Sequence, residues 1–213
     1  MDEIKVMEKP EWISWDDIHE LLFTAHKKNI AKGFTMTSAN ASGEELQKKL
    51  GEKGKCFVAL CGDKLVGTIS VSFFTGHSWY NKGQLVAHTM LSGILPKYQG
   101  IGITDDLNKL RDAYIHEIGA KMIHADTAEN NKIVRMNAKR NGFIEVSYYA
   151  PQSDHYSVNF VKWFEGCPFS DSVLEKKCKW SEKLTKLQYK PGKIERSFFL
   201  TLFCKVARKI LKV

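Results

Sequence analysis

Apolar residues recur at helical spacing from Trp15 through Ile18, Leu21, Leu22 and Ala25, with Ser14 ahead of them and Asp16 and Asp17 in the first turn. With Gly33 just past the end, this pattern predicts an amphipathic helix of about five turns. Ser42 and Glu45 form a capping box, and Leu46 and Leu50 give a second, shorter helix an apolar face before Gly51. From Cys56 the period falls to two: CFVAL, the turn residues Gly62-Asp63, and LVGTISVSFF predict a β-hairpin. A loop spans Gly76–Gly83, and Gln84–Leu95 reads as a third strand ended by Pro96. A helix fits Asp105–Ile118, with Leu107, Leu110, Tyr114 and Ile118 on one face and Gly119 as the stop. KMIHADTA is a buried strand, NNKIVRMNAKRNG a helix closed by Gly142, and FIEVSYY and HYSVNFVKW two further strands. This order predicts an α/β fold whose later strands are joined by helical crossovers.

Composition bounds the setting. The chain has 213 residues, 43% hydrophobic and 26% charged, which fits one domain or one domain with an appendage. The N-terminus, MDEIKVMEKPEW, is acidic and broken by Pro10, and no apolar run reaches the roughly 18 residues that cross a bilayer. Neither a secretory signal nor a spanning helix is expected. Five cysteines without a C-x-x-C pair, and scattered histidines, argue for reduced thiols in a cytoplasmic protein and against a metal site. The net charge of +8 is unevenly placed: residues 1–161 hold 19 Lys/Arg and 19 Asp/Glu, residues 162–213 hold 13 and 5. A neutral body argues against a nucleic-acid enzyme and sets the tail apart as an electrostatic device.

The most informative stretch is Leu95-Pro96-Lys97-Tyr98-Gln99-Gly100-Ile101-Gly102-Ile103-Thr104, between a strand and a helix. Its glycines let successive N–H groups converge at a helix N-terminus, a geometry that binds phosphate. Here the chain resembles the GNAT superfamily of acetyl-CoA-dependent N-acetyltransferases, whose pyrophosphate loop reads Gln/Arg-x-x-Gly-x-Gly/Ala. Gln99, Gly102 and Thr104 occupy those places, Thr104 departing from the small third residue. A second family motif, Asn followed eleven residues later by Gly-Phe, is met by Asn131 and Gly142-Phe143.

The resemblance runs from about Cys56 to Trp163. It implies a mixed, mostly antiparallel central sheet of about six to seven strands flanked by helices, the fourth and fifth splayed to admit pantetheine. The transferase domain would span residues 1–163, with helices over 14–51 shaping the acceptor site, and 164–213 would be a basic, partly amphipathic extension. By position, main-chain groups of Gly93, Ile94 and Leu95 would pair with pantetheine and polarise the thioester. Backbone N–H groups from Gln99 through Gly100, Ile101, Gly102 and Ile103 to Thr104 would take the pyrophosphate, with Asn131 also on the cofactor side. The cosubstrate would be acetyl-CoA, and no metal is implied.

Acyl transfer also needs a deprotonated amine, since an ammonium has no lone pair. His88, eleven residues before Gln99, shares a face with Met90 and Ser92 by period-two alternation and is the candidate base. It is equally a structural strand histidine. The family's tyrosine acid, four residues before Gly142, is replaced by Ala138, so a CoA thiol, near the ordinary thiol value of about 8.5, would leave largely unaided. Trp79 and Tyr80 in the Gly76–Gly83 loop, and Tyr148 on a later strand, are candidate acceptor contacts. Anchoring of that loop to the core is the competing reading, and His124 and Asp126 read better as a satisfied core pair.

In the terminal segment Phe199, Leu202, Phe203, Val206, Ile210 and Val213 fall at helical spacing, flanked by Lys205, Arg208, Lys209 and Lys212. Such a helix suits an anionic membrane surface at the cytoplasmic face, the alternative being a helix packed on the domain or on a second copy in a homodimer. The expectation is therefore direct acetyl transfer to a small amine or amino sugar, in glycan or envelope biosynthesis. The alternatives are a protein lysine or N-terminal acetyltransferase and a non-catalytic membrane-attached CoA-binding module.

Overall fold

In the computed structural model, residues 3–33, 41–148, 156–164, 167–188 and 198–212 are described. Among these residues, seven strands are hydrogen-bonded in the order β1-β2-β3-β4-β5-β7-β6 and six α-helices accompany them, so the fold is the mixed α/β sheet with helices that the sequence implied. The chain divides into two compact units, Met1–Phe74 with Ala87–Ala120, and Thr75–Val86 with Lys121–Val213.

In the first unit, β1 (Ile4–Glu8) pairs antiparallel with β2 (Lys55–Cys61), and β2 with β3 (Lys64–Thr75), a hairpin whose corner is Gly62 at φ 59°. The strand β1 was not read from the sequence. α1 (Trp15–Ile30) and α2 (Gly43–Leu50) begin on full capping boxes, Ser14 with Asp17 and Ser42 with Glu45, each satisfying two end donors. Their inner faces, Ile18, Leu21, Leu22, Leu46 and Leu50, bury against Cys56, Val58 and Leu60 of β2 and Leu91 of β4 (Leu85–Ile94). α3 (Ile103–Ile118) buries Ile103, Leu107, Arg111 and Ile115, one position off the expected stripe. An apolar-only reading cannot place Arg111, whose guanidinium is buried on the Asp112 carboxylate at 2.6 and 2.9 Å.

In the second unit, β5 (Met122–Ala128) and β6 (Ile144–Tyr148) both pair antiparallel with β7 (Ser157–Trp163). α4 (Lys132–Arg140) is fastened to β6 by a fork of Arg135 on Glu145, at 2.9 and 3.0 Å. α5 (Asp171–Gln188), over which the sequence showed only a basic cluster, is a helix that packs on β6. It sinks Leu174 among Tyr80, Val86, Met122, Val146 and Val161, and Cys178 beside Tyr156, Val158 and Phe160. α6 (Phe198–Leu211) lies on α5, held by Cys204 Sγ to the Leu184 carbonyl at 3.6 Å and by Arg208 to Thr185 at 3.2 Å.

Candidate active site

After β4, a 3-10 turn over Pro96–Tyr98 leads into the glycine loop. Gly100 (φ 81°) and Gly102 (φ 92°) are left-handed, and a Cβ built on either meets no atom within 4 Å. These glycines therefore serve backbone conformation, and they leave open space beside the main chain. Gly102 is the N-cap of α3 and no side chain caps that end, so first-turn N–H groups of a 16-residue helix have no side-chain acceptor. A diphosphate fits this arrangement, which offers donors and the positive end of a helix dipole without a blocking side chain. Asp105 and Asp106 in the same turn take up part of that dipole's stabilisation.

The end of β4 is held from three directions. The Leu95 N–H donates to the Val66 carbonyl at 2.9 Å, so it is engaged inside the sheet. Strand alternation turns the peptide groups of Ser92 and Ile94 to the edge away from β3. There the Ile94 carbonyl accepts from Gln99 Nε2 at 2.9 Å, and the Ser92 carbonyl lies 2.9 Å from His26 Nε2. Of the three main-chain positions expected to meet pantetheine, Ile94 is thus the one whose N–H points away from β3, while a Cβ on Gly93 would press on Leu22 and Ala25 of α1 at 3.1 and 3.2 Å.

Leu91 explains the departure from alternation. Its φ of 49° is left-handed, which costs a branched residue about 1 kcal/mol. The consecutive residues Met90 and Leu91 both pack on the cluster beneath α1 and α2, so the period is reset by one and Ser92 leaves the face of His88 and Met90. His88 is half-buried on β4, its ring edge-on to Phe74 at 6.3 Å. His26 was missed in the sequence. Its only signal is a polar residue on the Ile18–Leu22–His26 row of an otherwise apolar face.

The remaining sequence candidates lie in the second unit. The Gly76–Gly83 loop is not the exposed stacking surface expected: Tyr80 is 4% exposed and belongs to the core, and Trp79 packs edge-on to it at 5.3 Å and to Phe169 at 6.0 Å. Lys177 of α5 lies 5.0 Å over both the Trp79 and Phe169 rings. Trp79 and Tyr80 do line a pocket of about 380 Å³ with Lys121, Trp163 and Phe169. Asn131 caps α4, its Oδ1 accepting from the Val134 N–H at 3.4 Å and its Nδ2 donating to Thr127 at 3.3 Å. The backbone of Tyr148 pairs with Val158, its side chain lies outside the described residues, and Tyr149 does so entirely. His124 is buried with Nε2 2.7 Å from Asn159 Oδ1.

All five cysteines are free thiols. Burial pushes Cys56 and Cys167 above the ordinary thiol value, and burial followed by Glu145 pushes Cys178 up to about 12. These three are poor nucleophiles at neutral pH.

No curated protein matches the chain. Among solved structures, an acetyltransferase from Streptococcus agalactiae superposes with a TM-score of 0.58 at 18% identity, covering 76% of this chain and 98% of its own. A GNAT family acetyltransferase from Elizabethkingia anophelis with acetyl-CoA bound gives 0.55 at 12% identity, over 77% and 100%. An acetyltransferase from Bacillus subtilis in complex with CoA gives 0.54 at 14%, over 76% and 100%. Each is covered almost completely by about three quarters of this chain. The profile of the acetyltransferase (GNAT) family matches residues 15–143, more than half of the chain, and takes in α1, the glycine loop and Gly142-Phe143. The chain belongs to the GNAT acetyltransferase family.

Proposed function

We propose that the protein is an acetyl-CoA-dependent N-acetyltransferase moving an acetyl group directly to a primary amine of a small molecule or amino sugar. The observation that carries this reading is the open, uncapped N-terminus of α3 in the glycine loop that follows β4. Backbone N–H groups from Gly100 to Thr104 hold the pyrophosphate, the Gln99 N–H being engaged by the Pro96 carbonyl at 3.4 Å, and the Ile94 N–H polarises the thioester carbonyl. One such donor is worth roughly 3 kcal/mol in an acyl transfer. Acetyl-CoA supplies the activated acyl group, and the chain supplies orientation and a proton acceptor. Calorimetric titration of the full chain with acetyl-CoA should show saturable one-site binding. No saturation up to about 1 mM, the upper range of working substrate affinities, would overturn the reading.

The same proposal extends to attachment at an anionic membrane surface through α6. On this helix Cys204 is buried and Arg208 is spent on α5, whereas Phe203 (60% exposed), Ile210 (73%), Leu202 and Val206 face outward. Lys205, Lys209 and Lys212 are exposed along one edge of that face, and the helix carries no acid. Among the described residues no helix is long and apolar enough to cross a membrane, so the association would be interfacial. Each lysine near an anionic surface contributes about 1 kcal/mol, and the aliphatic groups add transfer energy. The chain should sediment with phosphatidylserine-containing vesicles at low salt and release as salt rises, and Phe203→Glu with Ile210→Glu should abolish sedimentation. If the unsubstituted chain ignores such vesicles, the attachment is wrong.

A further inference from the structure

The structure assigns to His26, on α1, the role of proton acceptor in the transfer step. This inference rests on the acetyl-CoA reading of the β4 edge. His26 reaches that edge: its Nε2 stands 2.9 Å from the Ser92 carbonyl, two residues from Ile94. A carbonyl can only accept, so Nε2 carries the proton and the second nitrogen, Nδ1, holds the lone pair in the neutral ring. Among the described residues Nδ1 makes no hydrogen bond, and it is not one of the buried atoms left without a partner. One nitrogen is thus fixed by a backbone acceptor and the other is free to take a proton, the arrangement by which an orienting acceptor sets the tautomer of a catalytic histidine.

The surroundings keep the ring neutral. α1 closes on β4 so tightly that a Cβ at Gly93 would stand 3.6 Å from His26 Nε2, and that burial holds the imidazole below the ordinary histidine value against the opposing pull of the Ser92 carbonyl. No charged side chain contributes to the shift: the causes are burial and the Ser92 carbonyl of β4. A neutral acceptor is what an ammonium substrate needs. In the step, Nδ1 takes a proton from the ammonium, the freed nitrogen pair forms the C–N bond as the C–S bond breaks, and the second amine proton passes to solvent. The imidazolium then returns its proton to the departing thiolate, leaving the amide, CoA thiol and neutral His26.

Bromoacetyl-CoA tests this without knowledge of the acceptor, because it sets an alkylating carbon where the acetyl methyl lies. A nucleophilic Nδ1 displaces bromide, the new C–N bond replacing C–Br. The expected result is a single adduct on the peptide carrying His26, suppressed by excess CoA. Adduct on His88 or a cysteine instead, or no adduct although CoA binds by calorimetry, would overturn the assignment. Absence of CoA binding would bring down the acetyl-CoA reading itself. A second measurement uses His26→Gln, whose amide N–H keeps the bond to Ser92 and with it the packing of α1. Acetyl-CoA hydrolysis by this variant should fall about 10²-fold or more while CoA affinity stays within about threefold. Unchanged hydrolysis, with the variant folded, would show that His26 only braces β4.

Discussion

Gly102→Glu abolishes acetyl-CoA binding while the protein stays folded. A Cβ at this position has open space around it, so the new side chain starts without a clash. The φ of 92° costs a non-glycine residue about 1 to 2 kcal/mol, which a chain of this size tolerates. The ligand meets a different situation. A carboxylate at the N-cap of α3 both caps the first-turn donors and sets a like charge beside the pyrophosphate. At about 4 Å and an effective dielectric near 20, that repulsion is about 4 kcal/mol, or roughly three decades in affinity. Calorimetry against a circular-dichroism melt separates the two effects. Gly102→Ala is the control, since it carries the backbone strain without the charge and should weaken binding far less. Equal affinity of Gly102→Glu and the unsubstituted chain would move the pyrophosphate away from this loop.

The loop was legible because its chemistry demands residue types that show in one dimension. Only glycine takes φ 81° and 92° cheaply, and only a fixed spacing brings their N–H groups to a helix start. Helix ends were legible for the same reason, since Ser14, Ser42 and Gly119 each do a job that few residues can. What escaped were features whose residues look ordinary. β1 is an edge strand of five residues with half-buried positions, so its alternation is faint. The left-handed Leu91 carries no glycine or proline to announce it, yet it resets the faces of β4 and removes Ser92 from the company of His88. Arg111 occupies a position on α3 that an apolar count assigns to its neighbours. His26 acquires its place only when α1 closes on β4, a contact 66 residues apart in sequence.

The basic segment after Trp163 was the least legible, because lysines conceal the stripe of α5. Leu174, Cys178, Ser181 and Leu184 recur at helical spacing, but only two of the four are strongly apolar. The burial they achieve leads to the second large expectation: Leu174→Ala destabilises the second unit by about 2 to 5 kcal/mol, the range for leucine truncation in a closed core. Leu174 has no exposed surface and fills the space between Tyr80, Met122 and Val161, which belong to a loop and two strands that cannot all collapse onto an alanine. For a protein of this length the midpoint of thermal unfolding should drop by about 5 to 15 °C. Ile210→Ala on the outward face of α6 should shift it by little, since an exposed side chain changes stability by about 0.5 kcal/mol or less. A melt of Leu174→Ala within about 2 °C of the unsubstituted chain would show that α5 lies on the strands without contributing to their core, and the residues after Trp163 would then be separable from the transferase fold.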